Sequence, residues 1–136
     1  MSKVVRLEDA ETRKALGGTL KVMFGAADTK NLRFSVGYFG PKEGLNAHIH
    51  PESEEVYYVI KGKGHLRVGK EEFDLSEGMG VVVPSGQEHF LKNNGKETMH
   101  IAFITSPPEK WWLLERLERL EEQVRKLTSK NTTAKQ

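Results

Sequence analysis

Between Thr19 and Thr105 turn-forming residues interrupt the chain at near-regular intervals: Gly40-Pro41, Gly44, Pro51, Gly62, Gly64, Gly69, Gly78, Pro84-Ser85-Gly86 and Asn93-Asn94-Gly95. No long helix survives that punctuation, because Gly and Pro both break helical hydrogen bonding. The stretches between the breaks are strand-sized and β-like: Thr19 to Phe24, Leu32 to Phe39, Asn46 to His50, Glu55 to Lys61 and Gly64 to Val68, then Glu71 to Leu75, Met79 to Val83, His89 to Asn93 and Thr98 to Thr105. Many short strands in a chain of 136 residues predict one all-β sandwich or barrel. A second domain with its own core does not fit in that length.

Only the two ends read differently. Asp9 to Leu16 reads as one or two helical turns closed by Gly17-Gly18. At the other end, Ser106-Pro107-Pro108-Glu109 matches a capping box with Pro at the first helical position. Leu113, Leu117, Leu120, Val124 and Leu127 follow at spacings of four and three, which is one apolar helical stripe. Acid-first pairs four apart, such as Glu122 with Lys126, support the same helix. The expected organisation is a barrel domain over 1–106 with an N-terminal strand extension and a motif core of about 32–105. An amphipathic helix over 107–128 and a disordered tail over 129–136, where apolar residues run out, complete it.

Composition narrows the chemistry. There are no cysteines, which excludes disulfides, thiolate nucleophiles and sulfur-ligated metals. A formal charge of +2 makes no case for nucleic acid or an anionic membrane as partner. No stretch approaches the ~20 apolar residues of a membrane span. Met1 to Lys14 lacks the apolar core of a secretory signal, so a cytoplasmic location is expected.

The informative residues are His48, His50, Glu55 and His89. His48 and His50 stand two apart, so on a strand both imidazoles leave one face and can converge on one ion. Glu55 opens the next run and shares its face with Tyr57 and Val59, whereas Glu54 has the opposite parity. His89 follows the Pro84-Ser85-Gly86 turn. These blocks resemble the paired motifs of the cupin superfamily. The first, G-x5-HxH-x3,4-E-x6-G, is met from His48 through His50 and Glu55 to Gly62. Lys42 stands where its leading Gly belongs, with Gly40 and Gly44 two residues to either side, which reads as a shifted loop. The second, G-x5-PxG-x2-H-x3-N, is met at Gly78, Pro84, Gly86, His89 and Asn93. The resemblance implies a small antiparallel β-barrel of jelly-roll type, with a C-terminal helix appended here, and a divalent metal near its centre.

Three neutral imidazoles and one carboxylate suit Fe, Mn, Ni, Co or Zn as divalent ions and disfavour calcium, which prefers oxygen donors. In an octahedral field four such ligands leave two adjacent positions for water, dioxygen or a substrate that chelates through two oxygens. The resemblance suggests dioxygenase, isomerase or lyase chemistry on a small oxygen-rich molecule. A non-catalytic ligand-binding or sensing module, and a barrel merely braced by its metal, are the alternatives. Tyr57 is the catalytic candidate beyond the ligands, as an acid–base group or a substrate hydrogen bond; its other reading is barrel filling. Tyr38, Phe90 and Phe103 read as pocket walls or core, His65 as solvent-facing, and His100 as packing or support for a ligand. Asn93 and the motif glycines read as structural. Trp111 and Trp112 read as a barrel cap or a subunit contact. Glu55 to Lys61 is apolar on both faces, so one face needs cover from outside the barrel and a homodimer is expected. As heptads, the helix would set Arg116 opposite Glu121 of a parallel partner; otherwise its stripe covers the chain's own sheet.

Overall fold

A computed structural model describes residues 2–15, 17–108 and 110–134, with backbone alone at 15, 110–116 and 130–134. Among the described residues a 3-10 turn at Leu7–Asp9 precedes ten strands: β1 Glu11–Ala15, β2 Gly18–Phe24, β3 Arg33–Phe39, β4 Gly44–His48, β5 Glu54–Lys61, β6 Lys63–Val68, β7 Glu71–Ser76, β8 Gly80–Val83, β9 His89–Lys92 and β10 Met99–Ser106. The helix α1, Lys110–Ala134, closes the chain. Every strand pairing is antiparallel. Six strands form one sheet in the order β1-β2-β3-β10-β5-β8, and four form the other in the order β4-β9-β6-β7. The fold is the expected all-β jelly roll with a C-terminal helix.

Alternation decides which face is inside. Along β5, Glu55, Tyr57 and Val59 are buried while Glu54, Val56, Tyr58 and Ile60 are exposed. The inward side chains of both sheets meet in one core that includes Phe39, Leu45, Tyr57, Leu66, Leu91, Ile101 and Phe103. Each large apolar side chain so buried contributes roughly 1.5–3 kcal/mol of transfer free energy.

Several local expectations need correction. The segment read as helical turns from Asp9 is mostly strand: Glu11–Ala15 pairs with β2, Ala15 opposite Gly18, around a turn in which Gly17 takes φ +100°. Hairpin pairing outweighs the weak helical preference of so short a segment. The capping box does not form, because Ser106 belongs to β10 and its hydroxyl donates to Asn31 O at 2.6 Å; Glu109 lies outside the described residues. The helix accordingly begins at Lys110 and continues past the 128 boundary to Ala134. The stripe residues Leu117, Leu120, Val124 and Leu127 are all exposed, so they do not cover the chain's own sheet. The surroundings of Trp111, Trp112, Leu113 and Arg116 lie outside the described residues, as does the end of the tail at Lys135 and Gln136. Among the described residues no helix is long and apolar enough to cross a membrane.

The loop at Lys42 is not shifted. Lys42 itself takes φ +69°, in the left-handed region that favours Gly, and its N–H donates to Asn93 O at 3.0 Å. Asn93, fully buried, organises the same corner. Its amide donates to Phe39 O and to Glu97 O, and its oxygen accepts from Gly95 N, all at 2.8 Å. Replacing it by Ala strands the buried Phe39 carbonyl. Asn93→Ala is expected to lower unfolding free energy by about 2–3 kcal/mol in urea denaturation of the metal-free protein, through a lower midpoint at unchanged slope.

Candidate metal centre

The four motif side chains arrive from both sheets. His48 ends β4 and His89 opens β9, and the two are register partners across the four-stranded sheet. Glu55 projects inward from β5 of the six-stranded sheet. His50 lies just beyond β4, where its carbonyl accepts the N–H of Gly86 at 2.9 Å. That bond ties the loop after the first motif to the turn of the second.

Their ligand atoms, one from each residue, all lie within 4.8 Å of one another. Glu55 Oε1 stands 2.8 Å from His50 Nε2 and 3.1 Å from His89 Nε2. Two donors at right angles around one ion, each bonded at ~2.1 Å, would be ~3.0 Å apart, so these edges match neighbouring ligands of a shared cation. The His48 ring centroid is 4.0 Å from that of His89 and 4.9 Å from that of His50.

Proton placement supports the same reading. His48 Nδ1 donates to Asn46 O at 2.6 Å, and His89 Nδ1 donates to Gln87 O at 3.0 Å. A carbonyl only accepts, so both protons sit on Nδ1, and a neutral ring then turns its Nε2 lone pair inward. At His89 that lone pair faces a Glu55 oxygen, an arrangement that requires a proton or a metal ion between them. The donor set therefore fits a divalent cation.

Electrostatics keeps the donors in usable form. Burial pushes the Glu55 carboxyl up, but the hydrogen bonds and charges of His50 and His89 more than offset this and hold its pKa at about 2. Burial pushes His48 down, against the opposing pull of Asn46 O, which favours the neutral ligand form. Burial, reinforced by the Glu55 charge, pushes Tyr57 well above its ordinary value, so the phenol keeps its proton. Its hydroxyl donates to Glu55 Oε1 at 3.4 Å.

One supporting residue carries no motif signal. Thr105, buried in β10, donates its hydroxyl to Glu55 Oε2 at 3.1 Å. With Oε2 engaged there, Oε1 is the oxygen turned toward the imidazoles. Only the inward parity of Thr105, shared with Ile101 and Phe103, could have drawn attention to it.

The other candidates fall away from the centre. Glu54 is exposed and takes no part. Tyr38 and Phe90 are not pocket walls: Tyr38 meets His100 edge-on at 4.8 Å outside the six-stranded sheet, and Phe90 lies beneath the Arg67 guanidinium, 5.8 Å away, on the outside of the other. Their strand parity is opposite to that of the core residues beside them. Phe103 does point inward, 4.7 Å from Tyr57. Gln87 contributes only its carbonyl, and Glu88 pairs with Arg67 at 3.4 Å. His65 sits on the outer face of the four-stranded sheet, 3.0 Å from Asp74 and 3.4 Å from Glu72.

Comparison with known proteins agrees with this geometry. A family model described as a cupin domain matches residues 36–105, which is half of the chain. The chain belongs to that family. A Streptomyces cyaneus protein named polyketide synthase CurC is 28% identical over 110 residues, spanning 77% of this chain and 70% of its own. A predicted oxalate decarboxylase from Thermotoga maritima superposes with TM-score 0.70 at 19% identity, over 78% of this chain and 100% of that one. Ectoine synthase from P. lautus superposes with TM-score 0.70 at 16% identity, over 79% of each chain. At such identities the two structural likenesses establish the fold.

Two outcomes follow from the geometry. Thr105→Val is expected to weaken metal affinity roughly tenfold in competition with a chelating dye. Thr105→Ser, which restores the hydroxyl, is expected to stay near wild type, and His50→Ala to lose most bound metal. On the outer face, the hydrogen bond to Asp74 and then Glu72 raises the His65 pKa above 6.5. Its contribution to stability is thus fully present below the unfolded value and lost as pH rises through the folded one. An NMR titration should place the His65 transition above 6.5, and Asp74→Asn should move it down.

Proposed function

We propose that the protein uses a divalent cation held by His48, His50, Glu55 and His89 to act on a small molecule that offers two oxygens side by side. The observation that carries this reading is the asymmetry of the centre. Glu55 and His89 are buried against the barrel floor, whereas His48 and His50 are only half-buried and rim its solvent side. Donors gathered from one side leave adjacent positions facing the opening, which suits a chelating ligand. A closed structural site would have no such exposed edge.

The name of the Streptomyces relative suggests the substrate class. A polyketide-type chain carries carbonyl oxygens in 1,3 relation, and a β-dicarbonyl is a bidentate oxygen ligand of the right size. The reaction belongs to the dioxygenase, isomerase or lyase classes. When bound, the ion supplies Lewis acidity and, if redox-active, electron transfer. The chain's own groups do the rest. Glu55 keeps its negative charge at working pH and offsets part of the cation's, while Thr105 fixes its orientation. Tyr57 holds its proton and serves as a buried hydrogen-bond donor. Phe103 packs edge-on against the Tyr57 ring and holds it in place.

The test uses Co(II)-loaded protein and pentane-2,4-dione as probe. The visible spectrum is expected to shift on adding the dione, and to shift far less with acetate at the same concentration. A spectrum indifferent to the dione would overturn the reading. Oxygen uptake or consumption of the dione by Fe(II)-loaded protein then assigns turnover; a spectral response without consumption assigns ligand capture in place of catalysis.

A further inference from the structure

An arginine shares the inner row of Glu55. Residues directly opposite each other on antiparallel strands leave the same face of the sheet. Glu55 stands opposite Thr105 on β10, and Thr105 stands opposite Arg33 on β3. Thr105 turns inward to Glu55 Oε2, so Arg33 also starts from the inner face. Tyr57, Phe103 and Ser35 form the next row, one step deeper. Arg33 Nε donates to Ser35 Oγ at 3.2 Å, and Ser35 is buried. The arginine side chain therefore runs along the inner wall toward that second row, half-buried itself. With strands ~4.8 Å apart, its backbone lies ~10 Å from that of Glu55, close enough for one small molecule to reach from the ion to the guanidinium.

The carboxylate of the centre does not account for this cation. Glu55 is the one buried acid among the described residues, and its two oxygens are met by His50, His89, Thr105 and Tyr57. A guanidinium stays charged at any working pH, and its planar fork fits a carboxylate through two parallel N–H bonds. A divalent ion, the Glu55 carboxylate and Arg33 together bring a formal charge of about +2 to the inner chamber. A β-dicarbonyl chelates as its enolate, with a single negative charge, and so leaves about +1 unmatched in a poorly solvated place. A carboxylate further along the same molecule supplies the missing charge, and a phosphate overshoots it.

We propose that Arg33, steadied by Ser35, binds a carboxylate of the substrate, so that the substrate class is a β-dicarbonyl acid and not a neutral dicarbonyl. The assignment rests on the chelation reading given above. It makes Arg33 a specificity residue that sets the direction of the bound molecule, with the dicarbonyl at the ion and the acid end toward β3.

The test follows the visible spectrum of Co(II)-loaded full-length protein with three probes: pentane-2,4-dione, 3,5-dioxohexanoate and 3,5-dioxohexanamide. The acid is expected to bind about tenfold tighter than the dione or more, and the amide, its equal in size, to bind like the dione. Arg33→Met should abolish the advantage of the acid while cobalt content, circular dichroism and dione affinity stay as in wild type. Arg33→Lys, which keeps the charge but not the fork, should retain part of that advantage, and it decides the matter if the methionine variant does not fold. An acid bound no tighter than its amide would overturn the proposal. So would an advantage untouched in both variants, or an Arg33→Met protein that sheds cobalt or weakens the dione as much as the acid, the marks of a merely structural residue. Indifference to all three probes overturns the chelation reading and this assignment with it; a response to the dione without preference for the acid overturns this assignment alone.

Discussion

A carboxylate buried to 6% exposure inside an apolar barrel is costly unless opposite charge or hydrogen-bond donors surround it, and Glu55 is that group. The imidazoles of His50 and His89, the hydroxyl of Thr105 and the more distant phenol of Tyr57 all face its two oxygens. Three of these partners have their own reason to be rigid. The His89 ring is fixed by a neighbouring carbonyl, Thr105 lies within the central strand pair of β10 and β5, and Tyr57 packs on Phe103. Most of the inward polar chemistry of the barrel is thus organised around one side chain. The remaining interior is hydrocarbon apart from Asn93 and a few small hydroxyls.

The second requirement is backbone shape. Gly62, Gly78 and Gly86 occupy positive φ in the turns between strands, Gly62 directly after β5, which carries Glu55, and Gly86 in the turn before β9, which opens with His89. A Cβ at Gly78 or Gly86 would meet nothing within 4 Å, so conformation and not space demands Gly there. Lys42 meets the same conformational demand without being Gly. It is held by the reciprocal bonds between its loop and Asn93, at a cost of order 1 kcal/mol.

This contrast explains what could be read in the residues alone. Strand positions were legible because alternation and turn residues carry them, and each of the nine runs named from Thr19 to Thr105 is a strand within a residue or two. The motif donors were legible because their spacing combines strand parity with the turns between them. Thr105 was not, since a threonine at the end of a strand has no distinctive spacing and its role depends on β10 lying beside β5, a pairing fifty residues apart in the chain. Tyr38 and Phe90 misled for a related reason. Aromatic character says that a residue is large; which side of a sheet receives it depends on the parity of its own strand. The Glu11–Ala15 hairpin was hidden by a segment too short and too charged to show either period, and the terminal helix outran its apolar stripe.

The division of the donors between layers has a mechanical consequence. His48 and His89 belong to one sheet, Glu55 and its anchor Thr105 to the other. A cation held by both would act as a rivet between the two layers, and the sheets could not slide apart without loosening it. Exchange of such an ion and breathing of the barrel would then be one motion. A molecule bound to such an ion would stiffen both layers at once, and the tempo of its departure would be set by delamination as much as by the bonds it makes.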